Sequence, residues 1–68
     1  MKYEMKITEG YIYARVPDRI IVDGEIYMWL EDTFGYPGVR YYWQDTPGGH
    51  FLHCSPEDML ACRLVFKI

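Results

Sequence analysis

Four side chains in the last third of the chain carry donor or nucleophile chemistry: His50, His53, Cys54 and Cys62. Imidazole nitrogen and thiolate sulfur are the usual ligands of structural zinc, and a metal would help a small domain hold together. The spacing argues against it. Paired short spacings of the C-x2-C kind are missing, and on a strand His53 and Cys54 point to opposite faces, so one tetrahedral site would require the strand to end between them. The expectation is no metal and no cofactor, with the histidines in or near a turn and the thiols packed.

Cys54 has a second possible use, as a nucleophile. It stands just before a predicted helix N-terminus, a position that lowers a thiol pKa, with His50 and His53 close in sequence. Glu57 and Asp58 in the same helical turn oppose a thiolate, and nothing in the sequence supplies an oxyanion hole. A buried structural cysteine is the simpler account, because free cysteine is among the most buried residue types. A helix between Cys54 and Cys62 would keep their Cα atoms roughly 10 Å apart, out of disulfide reach. Both are therefore expected as free thiols in a reducing, cytoplasmic setting. The chain is not expected to be an enzyme.

The acids Asp23, Glu25, Glu31 and Asp32 do not follow calcium-loop spacing, and Gly48-Gly49 reads as a hairpin turn, not a phosphate loop leading into a helix. Aromatic side chains carry most of the remaining signal: seven Tyr, three Phe and two Trp in 68 residues. Tyr and Trp combine large buried area with a polar handle, so they serve a core or a recognition surface equally well. Tyr27, Trp29 and Tyr42, with Arg40 beside Tyr42, form the candidate binding face, and Glu31 and Asp32 its acidic rim. The alternative is that all of these aromatics are core. A domain this small buries only about 60% of the surface its unfolded chain exposes and needs such side chains inside.

The elements that position these residues read as hairpins nearly throughout. Tyr3 to Thr8 alternates Tyr3, Met5 and Ile7 against polar residues, and Glu9-Gly10 turns into a strand from Tyr11 to Val16. Pro17-Asp18 interrupts the run. Strands at Arg19 to Val22 and Glu25 to Leu30 would flank Asp23-Gly24, a strong type I′ turn signal. A loop from Glu31 to Gly38 leads to a second hairpin, Val39 to Gln44 and His50 to Cys54, which would set Trp43 across from Phe51. Ser55-Pro56-Glu57-Asp58 is a helix start, with Ser as N-cap, Pro at the first helical position and acids in the first turn. A short helix over Met59 to Cys62 would then give way to a closing strand from Arg63 to Ile68.

The fold class expected from this is α+β, mainly β, in one compact domain over residues 1 to 68: a small antiparallel sheet or open barrel of hairpins with one short helix before the last strand. With strands predicted close to both ends, the chain reads as a complete small protein. Its net charge of -3 comes without a basic stripe, which argues against duplex DNA, and there is no signal-peptide or membrane-spanning run. The function expected is a non-enzymatic protein-binding module, a small inhibitor or regulator of the phage type that docks on a larger cytoplasmic assembly. Single-stranded nucleic-acid binding through Tyr27, Trp29 and Tyr42 is the second reading, and a Cys54-centred thiol enzyme the third.

Overall fold

The computed structural model describes residues 10–68. Their order is β1 (Ile12–Val16), α1 (Asp18–Asp23), α2 (Glu25–Phe34), β2 (Tyr41–Thr46), β3 (Gly49–Cys54) and α3 (Pro56–Phe66). The predicted strand from Tyr3 to Thr8 lies outside the described residues. The class is α+β: one antiparallel three-stranded sheet in the order β1-β3-β2, with three helices.

Two parts of the expectation change. The described residues are 46% helical and 29% strand, so the fold is not mainly β, and the last element is a helix, with no strand after it. The predicted hairpin around Asp23-Gly24 is the α1–α2 helix pair. Pro17 precedes α1, and its carbonyl accepts from the Ile20 and Ile21 amides at 3.0 and 3.1 Å. Gly24, at φ 81°, then ends α1 by donating its amide to the Ile20 carbonyl and opens α2 by accepting from the Tyr27 amide. Positive φ is what a type I′ turn and a helix C-cap both ask of glycine, so Gly24 carries the same local signal for either element.

In α2, Ile26, Leu30 and Phe34 recur every fourth residue and share the side that faces the core, where Ile26 and Leu30 are fully buried. The predicted loop from Glu31 accordingly begins only after Phe34. In α3 the core side is Met59, Cys62 and Phe66, a helical spacing that overrides the alternation of Leu64, Phe66 and Ile68. The helix start is as expected, with Ser55 as N-cap accepting from the Asp58 amide at 3.2 Å and Pro56 at the first position.

The β2–β3 hairpin is present with a shorter turn than predicted. Both strands reach inward to Thr46 and Gly49, leaving only Pro47-Gly48 between them. Trp43 therefore pairs with Leu52 and Phe51 with Gln44, one residue out of the predicted register. Cross-strand partners share a face, so the slip separates Trp43 from Phe51. Trp43, Leu52, Tyr41, Cys54, Ala14 and Val16 face the helices and build the core with Ile20, Ile26, Leu30, Met59 and Cys62.

Replacing Ser55 by Ala leaves the Asp58 amide without its side-chain acceptor and is expected to cost about 1 kcal/mol. A lower midpoint in urea unfolding at unchanged slope checks this, and an unchanged midpoint contradicts it.

Candidate functional site

All helices lie on one side of the sheet, and the other side carries its own set of aromatic residues. Alternation along the strands places Tyr13 and Arg15 of β1, Tyr42 and Gln44 of β2, and Phe51 and His53 of β3 on that second face, next to Tyr11 just before β1. The rings form a continuous array across all three strands. Tyr42 stacks on His53 with centroids 4.4 Å apart and planes 10° from parallel, and Tyr11 stacks on Tyr42 at 6.5 Å. Tyr13 meets His53 at 5.3 Å and the edge of Phe51 at 5.9 Å. Offset and edge-on contacts of this kind are the favoured aromatic geometries. Tyr13 remains 65% exposed, and among the described residues no element covers the array.

Polar groups hold the array in place. His53 Nε2 donates to Gln44 Oε1 at 2.9 Å, and the Tyr11 hydroxyl donates to the Val39 carbonyl at 2.9 Å. Partial burial lowers the pKa of His53 and so favours the neutral imidazole, and burial followed by the neighbouring Tyr11 raises that of Tyr42. At the end of the hairpin, Arg15 Nε donates to the Gly48 carbonyl at 3.0 Å and lies across Gly49, close to where a Cβ would stand. Gly49, at φ 139°, is favoured by its backbone conformation, and the exposed Arg15 side chain passes close over it.

The six residues expected to form a binding face are not brought together. Tyr42 is on the open sheet face. Tyr27 and Trp29 are on α2, on the helical side: Tyr27 tilts against Trp43 at 5.0 Å, and Trp29 meets the edges of Phe34 and Phe66, each at 5.6 Å. Their predicted alternation with Tyr42 assumed a strand where the chain is helical. Arg40 is a clamp, donating to both carboxylate oxygens of Asp58 at 2.8 and 3.3 Å while its guanidinium sits 4.4 Å from the centre of the Phe34 ring. It ties the loop before β2 to the first turn of α3. Glu31 and Asp32 are exposed on α2, away from the open sheet face. Tyr11, Tyr13, Phe51 and His53 were not identified as site residues, although the Tyr11/Tyr13 alternation and the one-residue hairpin register would have placed them.

The cysteine and histidine cluster also separates. His53 faces outward, Cys54 and Cys62 are fully buried on the helical side as free thiols, and His50 Nδ1 donates to Asp45 at 2.7 Å by the hairpin end. Among the described residues no group of metal-binding side chains converges. Burial, then the Asp58 carboxylate and Cys62, push the Cys54 thiol from 9.0 to about 12, and burial pushes Cys62 to about 11. Both are held as protonated thiols at neutral pH, the opposite of an activated nucleophile. Comparison with known proteins finds no matching family model, curated protein or solved structure.

Two predictions follow from this placement. Trp29→Ala is expected to cost roughly 3 kcal/mol or more, since it empties the junction of α2 and α3, whereas Tyr42→Ala stays within about 1 kcal/mol. Circular dichroism melts of the two variants decide it, and equal losses would contradict the assignment of faces. The thiols are expected to resist a thiol reagent at pH 8 until the chain is unfolded. Because their folded pKa values lie above the unfolded value, unfolding releases protons once the pH exceeds about 9, and stability falls from there towards pH 12. Rapid labelling of native protein, or stability that is flat across that interval, would contradict the burial.

Proposed function

We propose that the protein is a non-enzymatic binding module of the cytoplasm, a small inhibitor or regulator whose open sheet face docks on a protein partner. The observation that carries this reading is the ring array of Tyr11, Tyr42, His53, Tyr13 and Phe51 on the side of the sheet opposite the helices. Such rings give large, rigid contact area at little cost in rotamer entropy, and the adjacent Arg15, Gln44 and tyrosine hydroxyls add polar reach. The two protonated buried thiols support a reducing compartment. Among the described residues no helix is long and apolar enough to cross a membrane.

Single-stranded nucleic acid is the second reading, favoured by one feature: the rings around the Tyr42–His53 stack share the open sheet face with Arg15, a combination of aromatic and cationic groups of the kind that takes stacked bases. The net charge of -3 opposes it, because phosphate neutralisation supplies much of that affinity.

The test begins with affinity capture from the native host and continues with the captured partner in purified form. Tyr13→Ala and Phe51→Ala are expected to keep the fold and to weaken that complex by at least about 2 kcal/mol, as loss of an interface hot spot does. Affinity unchanged in both variants would overturn the open sheet face as the docking site. Fluorescence anisotropy with single-stranded DNA and RNA oligonucleotides provides the other arm. Salt-sensitive binding lost in the same variants would replace the protein partner with nucleic acid.

A further inference from the structure

The outward side of α3 is apolar at its centre and charged at its ends. Leu60 and Leu64 are 60% and 71% exposed, and Val65 beside them is about half exposed. Met59, Cys62 and Phe66 supply the opposite side, which the core already uses. Glu57, Leu60 and Leu64 follow one another along the helix at spacings of three and four residues, and Lys67 stands just past its last turn with a left-handed backbone at φ 60°. This is the apolar-seam spacing of a helix that packs against another helix, with an acid at its start and a base at its C-cap. Arg63 is engaged elsewhere, donating to the Ile68 carbonyl at 3.1 Å. Among the described residues nothing packs on this stripe, and a paired leucine stripe exposed to water is a common mark of an interface.

We propose that this face takes a second copy of the same chain, with the two α3 helices antiparallel about a twofold axis level with Cys62. The charge pattern selects that occupant and that orientation. Glu57 and Lys67 are equally far from Cys62 in sequence, as are Leu60 and Leu64, so an antiparallel pair sets each Leu60 against Leu64 of the other copy and each Glu57 against Lys67 of the other copy. A twofold pairing must be self-complementary, and this stripe is. Parallel packing would oppose Glu57 to Glu57 and Lys67 to Lys67, which repel. Antiparallel packing also opposes the helix dipoles favourably. The stripe lies on the far side of the helical layer from the aromatic sheet face, so self-association leaves that face free and would give a dimer with two docking surfaces pointing away from each other.

Sedimentation equilibrium of the full chain, across a concentration series extended to millimolar, tests the proposal. A monomer–dimer equilibrium is expected. Leu64→Asp, or Leu60→Gln should the first variant melt early, is expected to weaken association by about tenfold or more. Glu57→Lys and Lys67→Glu are each expected to weaken it at low salt, and the double reversal to restore it, while Tyr42→Ala leaves it unchanged. A monomer throughout the series overturns the proposal. So does a dimer that withstands Leu64→Asp and Leu60→Gln, a double reversal that fails to restore association, or a dimer that Tyr42→Ala abolishes.

Discussion

One-sided burial of the sheet is the constraint on which the rest of the molecule depends. A three-stranded sheet has two faces, and among the described residues the three helices cover only one of them. Val16, Tyr41, Leu52 and Cys54 are removed from water by Ile20, Ile26, Leu30, Met59 and Cys62. Burial of this kind is the main favourable term available to so small a domain. With the described helices committed to that side, the alternate residues of the strands necessarily form a second surface, and in this sequence most of those residues are aromatic.

The hairpin turn decides which aromatics belong to which side. Thr46 Oγ1 accepts from the Gly48 amide and donates to the Gly49 carbonyl, so the turn closes on two residues, Pro47 and Gly48. Arg15 crosses from the neighbouring strand β1 onto that turn and passes close over Gly49. A turn longer or shorter by one residue would put Trp43 and Phe51 on the same face, since strand alternation has a period of two. Local turn chemistry thus controls the composition of a surface several residues away.

Two clusters of rings do different work in consequence. On the helical side, Trp29, Phe34, Phe66 and Tyr41 join α2, α3 and β2, with Arg40 laid over Phe34 and paired with Asp58 as a brace. On the open side, Tyr42 and His53 stack with Tyr11 and Tyr13 around them, and hydrogen bonds to Gln44 and Val39 hold His53 and Tyr11 in place. Preorganised rings lose little freedom on binding, which suits a recognition surface. The outer stripe of α3 is a third kind of surface, apolar in the middle and oppositely charged at its ends, and physically independent of the sheet face.

By itself the sequence determined the α+β class, the first described strand, the second hairpin, the alternation of Tyr42 against Tyr41 and Trp43 but not which of them faces inward, the Ser55-Pro56 helix start and the two unpaired thiols. Each of these rests on interactions within a few residues of the chain: a cap, a turn, a proline or a local alternation. Tertiary structure alone decided the helical state of residues 18 to 34 and of Arg63 to Phe66. There, apolar residues satisfy period 2 and period 3.6 together. Ile20, Ile21, Ile26 and Leu30 fit a hairpin as readily as a helix pair, and Gly24 serves both. What separates the two is whether a sheet face elsewhere in the chain needs covering, and that is settled only when β1, β2 and β3 have paired. The membership of the candidate site went the same way, because Tyr27 and Trp29 could be assigned to the helical side, and Phe51 and His53 to the open one, only after the packing had chosen between those periods.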